Sequence, residues 1–404
     1  MTDRKNRRGL ILPPSASMSR RDALKMGVAG IGGLAVGGSL LAACGDDEEA
    51  APAATTAAPT TTAAATTTAA PAGKDSIKAA FVYIGPPDDN GWTQEHDRGR
   101  LAAEAALGDR LETSFVPNIG FDAGTTQTFQ QLVDDGNDII FANTEYAGLL
   151  TEVSDNAPDT KFCEINGHYY SDNLFPFYLA HETTAYQLGV AAGHLAENGR
   201  IGYIGAFPTA TAYNDVNGLL LGARSVNPDA VVETVLVSTF FDPQKAANAA
   251  NALLDSGVDF LFGVMDEPTF LQLSEEAGVW TGYWNLDFRS AAPTKYVSHF
   301  DLSEFGPFYT EQCRRVLDGT WVSQDQVWLL DTPIGDFGPN VPQDVQDAVH
   351  DAGAKLDSGE LHVYEGPLND NEGNERLAAG ETIDSLGAYE ISWPVDGVTG
   401  ISPV

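Results

Sequence analysis

From residue 77 onward the chain alternates short apolar runs with amphipathic stretches of about 12 to 16 residues, and that rhythm restricts the fold more than any other feature. Apolar runs at 77–84, 111–116, 138–143 and 161–165 are separated by helix-period segments at 94–107, 123–135 and 145–156. A second set follows, with runs at 176–180, 200–207, 231–239, 260–265 and 280–284 and helical segments at 184–197, 212–225, 243–256 and 268–277. Nearly continuous apolar runs suit strands buried on both faces, which is the condition of a parallel sheet covered by helices. The helix signals fall in register: Asp242-Pro243 and Glu267-Pro268 each set a polar cap before a proline, and Gly108, Gly136, Gly257 and Gly278 mark stops. The sequence thus predicts an α/β protein built from βα units.

Residues 74–404 exceed what one hydrophobic core usually organises, so two lobes are expected. A strand at 295–300 and a helix at 303–317 are expected to cross back and complete the first lobe, followed by a looser tail with a helix at 342–357. The first lobe is therefore assigned 76–178 plus 297–325, and the second 179–296 plus 326–404. Two parallel-sheet lobes joined by crossing strands imply a hinge, and a ligand cleft where the carboxyl ends of the strands face each other.

Residues 1–43 read as a leader. Arg4, Lys5, Arg7 and Arg8 precede an apolar stretch from Met26 to Ala43, Arg20-Arg21 resembles a twin-arginine export signal, and Leu41-Ala42-Ala43-Cys44 has the form of a lipidation site. Six glycines dilute the stretch below what a spanning helix needs. Residues 44–75 comprise the Cys44 to be lipidated and an Ala/Thr/Pro linker too poor in large apolar residues to fold. The expected location is extracytoplasmic, anchored to a bacterial cell membrane through lipid.

After residue 43 the chain carries 15 Lys and Arg against 55 Asp and Glu, a net charge of −40. That surface repels nucleic acid and anionic lipid headgroups. Cys163 and Cys313 show no CxxC spacing, so a metal site is disfavoured and free buried thiols are expected, with a disulfide as the other option.

One ordered series of segments resembles a known family. Phe81-Val82-Tyr83-Ile84-Gly85-Pro86, Asp89-Asn90-Gly91-Trp92-Thr93 and His96-Asp97-Arg98-Gly99-Arg100 begin it. Gly202-Tyr203-Ile204-Gly205-Ala206-Phe207-Pro208, Leu221-Gly222-Ala223-Arg224-Ser225-Val226-Asn227-Pro228, Phe240-Phe241-Asp242-Pro243 and Val316-Leu317-Asp318-Gly319-Thr320-Trp321 continue it. Together they resemble the basic membrane protein family, substrate-binding lipoproteins of ABC importers related to purine-nucleoside receptors. The resemblance implies a type I periplasmic-binding-protein fold with two Rossmann-like lobes. It also implies a purine base or nucleoside as ligand, adenine-like because a Gly-Trp follows strand 1, and delivery by a monomer to an ABC permease and its ATPase. No cofactor is implied.

On that resemblance Trp92 would stack on the base and Asp89 would accept from purine N–H groups, with Asn90 beside them; a lobe-core Trp and a turn or helix cap are the plain alternatives. Phe207 and Phe241 would form the opposite aromatic wall, or pack as core. Asp266 and Asp287 would face the cleft, Asp242 is read as an N-cap, and Asn143, Thr144 and Tyr146 would complete a polar rim. Two stretches depart from the family pattern. Thr183-Thr184-Ala185-Tyr186 replaces a frequent Glu after the first crossing, removing a charge near the hinge, and Trp284-Asn285-Leu286-Asp287 puts a large aromatic beside the cleft.

An enzyme is the rival class, since His96, Asp97 and His168 invite a hydrolase or metal reading. His181-Glu182-Thr183-Thr184-Ala185 lacks the second histidine of HExxH, no G-x-S-x-G is present, and His96 reads as a structural helix residue. A lipoprotein that senses ligand for a signalling kinase, and a simple-sugar-binding protein, fit the same fold. The expectation is binding without catalysis.

Overall fold

The computed structural model describes residues 73–404; the leader, Cys44 and nearly all of the linker lie outside the described residues. Strands β1 (Ile77–Val82), β2 (Leu111–Val116), β3 (Ile139–Ala142), β4 (Lys161–Ile165) and β5 (Leu174–Leu179) build the first lobe with helices α1 (Trp92–Leu107), α2 (Ala123–Asp134) and α3 (Gly148–Asn156). The second lobe uses β6 (Arg200–Gly205), β7 (Val231–Leu236), β8 (Phe260–Gly263) and β9 (Trp280–Tyr283). Its helices are α4 (His181–Leu195), α5 (Ala210–Arg224), α6 (Pro243–Ser256) and α7 (Thr269–Ala277). Then come β10 (Tyr296–His299), α8 (Phe305–Leu317), β11 (Trp328–Leu330) and α9 (Gln343–Ser358). The tail holds four short strands, β12 (Tyr364–Glu365), β13 (Leu368–Asn369), β14 (Glu375–Leu377) and β15 (Thr382–Ile383), then α10 (Ser385–Ala388) and β16 (Val398–Thr399).

Each lobe has a six-stranded, all-parallel sheet, in the orders β11-β5-β4-β3-β1-β2 and β10-β9-β8-β6-β7-β16. Period-two alternation fills both faces of the first sheet. Ala79 and Phe81 pack with Phe141, Cys163 and the α8 rings of Phe305, Phe308 and Tyr309, whereas Ala80 and Val82 pack with Phe129, Leu150 and Tyr146 under α2 and α3. In the second lobe α4 and α5 approach closely, because a Cβ at Gly222 would lie 2.0 Å from the Tyr186 carbonyl oxygen. Asp242 caps α6 through the N–H groups of Gln244 and Lys245, with Pro243 at its first turn and Gly257 left-handed at its end.

Two late strands go to the other sheet from the one expected. The strand at 296–299 pairs with β9 in the second lobe, and 328–330 pairs with β5 in the first. Helix α8 (305–317) packs on α1 in the first lobe. The chain therefore crosses between lobes three times, at 180, at 300–304 and at 331–333. Cross-links gather there: Ala180 N–H donates to the Leu330 carbonyl, Thr332 Oγ1 donates to the Ala180 carbonyl at 3.0 Å, and Phe300 bridges Ile334. Cys163 and Cys313 are free and buried. Among the described residues no helix is long and apolar enough to cross a membrane.

Candidate ligand cleft

The strand order reverses between β1 and β3 in the first sheet and between β6 and β8 in the second, and the loops leaving those strands meet. Such switch points are where open α/β sheets place ligands. Trp92 opens α1 just past β1. Its Nε1–H donates to the Asn143 carbonyl after β3 at 2.6 Å, and its backbone N–H donates to Asp266 Oδ1 of the second lobe at 3.0 Å. Its ring stacks on Trp284, after β9, with centroids 5.5 Å apart and planes 19° from parallel. His96 and Phe305 flank it at 4.4 and 5.7 Å. Gly91 permits this approach, since a Cβ there would lie 2.0 Å from Asp266 Oδ1.

Asp266 is buried, and burial, then the neighbouring Asp89 carboxylate, push its carboxyl up to about 8 despite the Trp92 N–H. At neutral pH it is a carboxylic acid, able to donate one hydrogen bond and accept others. Around it stand buried polar atoms without partners in the protein: Asn143 Nδ2, both amide atoms of Asn285 and Glu267 Oε1. Glu164, at the end of β4, accepts the Tyr146 N–H at 2.7 Å through one oxygen while the other is unpartnered, and burial raises it to about 8. Buried groups of this kind are matched by water or by ligand.

Several sequence-derived candidates stand elsewhere. Asp89 accepts the N–H groups of Gly91, Thr93 and Gln94 at 2.9, 2.9 and 3.0 Å, so it caps α1 with both oxygens. Asn90 is exposed with φ +58°, a turn position that Asn tolerates. Thr144 is half-buried beside Asn143. Tyr146 is not on the rim: its ring packs on Phe121 and Phe129 and its hydroxyl donates to the Ile119 carbonyl. Phe207 and Phe241 are 43% and 59% exposed, and Phe207 packs edge-on against Phe240 rather than facing Trp92. Asp287 is exposed and pairs with Arg289 at 2.7 Å, whose hydrogen bonds outweigh burial and hold its carboxyl low.

The hinge still carries an acidic residue, one position before Thr183. Glu182, in the first turn of α4, is buried, and desolvation raises it to about 7 against the pull of Ser385, its own backbone and His181. Next to it His181 lies 3.1 Å from Asp215 and stacks on Trp284 at 6.4 Å. His96 is buried, stacks on Phe305 at 4.0 Å and meets the Tyr309 hydroxyl, and burial holds its imidazole well below the usual range. It is a packing residue of the α1–α8 contact.

Two parallel-sheet lobes joined by three crossings, with Trp92 of one meeting Trp284 and Asp266 of the other, have the architecture of a solute-binding protein of the periplasmic type. Comparison with known proteins agrees. Residues 76–276 match the model of the Bmp family, described as ABC transporter substrate-binding protein PnrA-like. A purine-binding protein of Brucella abortus is 34% identical over 328 residues, 80% of this chain and 93% of its own length. An ABC transporter protein of Haloferax volcanii, named as glucose-binding, is 31% identical over 82% of this chain and 83% of its own. An Aeropyrum pernix ABC solute-binding protein superposes with a TM-score of 0.60 over 73% of this chain and 93% of its own, at 15% identity. The chain belongs to the Bmp family of ABC transporter substrate-binding proteins.

Proposed function

We propose that this protein is the extracytoplasmic, lipid-anchored receptor of an ABC importer, binding a purine base or nucleoside, adenine-like by preference, between its lobes as a monomer. It then delivers the ligand unchanged to a permease driven by its ATPase. The observation that carries the reading is the Trp92 ring held at the switch point next to the buried Asp266 carboxyl, which accepts the Trp92 backbone N–H. A purine offers the indole a matching flat face and the carboxyl a pattern of adjacent donors and acceptors. Because Trp284 covers one side of Trp92 and His96 and Phe305 flank it, a ligand ring gains an indole face by parting the Trp92–Trp284 pair. The purine-binding name of the Brucella relative supports the same class.

A sugar is the second reading, supported by the glucose-binding name of the Haloferax relative and by the suitability of aromatics and carboxylates for pyranose rings. Mass spectrometry of ligand released from purified protein, followed by calorimetric titration of residues 74–404 with adenine, hypoxanthine, guanine, adenosine and glucose, separates the two. Saturable one-to-one binding of a purine is expected. Binding of glucose alone would move the protein to the sugar class, and turnover of the ligand would make it an enzyme. An importer role predicts a permease and ATPase encoded nearby, and a signalling kinase there would favour the sensor.

A further inference from the structure

The C-terminal segment is tied by its backbone to the second lobe but reaches across to the first through side chains: Tyr389 above all, with Leu386 beside it and Glu390 at 3.7 Å from His168. β16 pairs with β7, and Asn217 on α5 holds the tail at two points, donating to the Trp393 carbonyl at 3.0 Å and accepting the Val395 N–H at 2.8 Å. Asn214, one turn earlier, donates to the Ala388 carbonyl at 2.9 Å, and Asp384 caps α10 at the Gly387 N–H. From this fixed base Tyr389 leaves its lobe. Its hydroxyl donates to the carbonyl of Gly167 in the loop after β4, and its ring lies flat on His168 with centroids 4.7 Å apart and 21° between planes. It also packs on Tyr178 of β5 at 4.6 Å, and Leu386 joins it against Val327 and Leu329 beside β11. Only 4% of Tyr389 is exposed, so this large amphipathic side chain is buried where it meets the opposite lobe.

The loop it grips leaves β4 beside Glu164, and a Cβ at Gly167 would lie 2.2 Å from the unpartnered oxygen of that carboxyl. Asn166 between them is left-handed at φ +58°, so the hydroxyl bond pins a loop whose backbone is already confined. A lobe rotation that opened the cleft by moving this loop away from the tail would break the bond and the ring stack together.

We propose that Tyr389 is an interlobe clasp, a positioning residue that fastens the second lobe to the loop after β4 and so sets the balance between closed and open forms. It acts beside the three covalent crossings and makes the tail a fourth, reversible link.

The test uses the full-length chain carrying Cys44→Ser, Gln127→Cys and Asn248→Cys, with spin labels on the two introduced residues, which are exposed on α2 and α6. The native Cys163 and Cys313 are buried and escape labelling. Pulsed electron resonance then gives the interlobe distance distribution with no ligand present, so the result stands whatever solute the cleft takes. Tyr389→Phe removes only the hydroxyl, and its loss should shift the closed-to-open ratio roughly fivefold toward open. Tyr389→Ala, which loses the stack as well, should shift it further, and the melting temperature of Tyr389→Phe should stay near that of the parent. Distributions indistinguishable from the parent in both variants would overturn the clasp and leave Tyr389 as packing.

Discussion

Trp92 is tied to both lobes at once, by its indole N–H to Asn143 on one side and by its backbone N–H to Asp266 and its ring to Trp284 on the other. Trp92→Ala should weaken purine binding by about 1–3 kcal/mol, or about 5- to 150-fold, read by calorimetry beside a melt that confirms folding. Unchanged affinity in a folded variant would return Trp92 to core packing. Asp266 predicts a pH dependence. With the lobes as they stand its carboxyl is pushed up to about 8, so what it contributes to this Trp92–Asp266 contact is present below the ordinary carboxylate range and fades as pH rises through about 8, when a second negative charge appears next to Asp89. Purine affinity should therefore fall between pH 7 and 9, and Asp266→Asn should flatten that profile. A slope that persists unchanged in Asp266→Asn would assign the titration to another group.

Asp89 is best understood through the helix it starts. Three backbone N–H groups at the head of α1 converge on its carboxylate, where the helix dipole also favours negative charge. Asp89→Ala should cost about 0.5–2 kcal/mol and lower the melting temperature by a few degrees. If the melt stays put while preference among purines changes, Asp89 contacts ligand after all. The same residue shows how far sequence reaches. A carboxylate three positions before a helix reads equally as cap or ligand contact, because both uses need an acceptor at a helix head. The βα rhythm was legible because every strand buried on both faces must be apolar. What was not legible was sheet membership for 296–299 and 328–330, since a strand of three or four residues carries no mark of the edge it will join. Tyr146 was expected on the rim from its place after β3. A positive-φ residue, Ala147 (φ 49°), follows it, and its ring lies in the core. Trp284 was visible as an aromatic beside the cleft, but its pairing with Trp92 depends on a contact between lobes that no local pattern encodes.

Among the described residues burial is the main cause raising six carboxyls, Glu145 and Asp259 included, and for four of them the rise is large: Glu95 and Glu182 to about 7, Glu164 and Asp266 to about 8. Each binds its proton more tightly folded than unfolded. The stability this gives is full below the unfolded values and is lost as pH rises through 7 to 8. The melting temperature should thus be higher at pH 5.5 than at pH 8.5, and a flat or rising trend would mean that these groups are solvated in solution. A purine should also shrink the radius of gyration seen by small-angle scattering, as lobes joined by a hinge close on it. The interleaving of the two sheets has one more consequence, for the protein as it is being made. The first sheet has its edge strand β11 only when residue 330 has been synthesised, and the second has β16 only at residue 399. Synthesis must therefore pass residue 399 before the second lobe is whole and residue 330 before the first is. Until then β5, with all six residues apolar or proline and destined for burial, is an open edge that invites self-association. Truncation products ending anywhere before β11 should accumulate as aggregates or be degraded, rather than persist as a stable half-receptor.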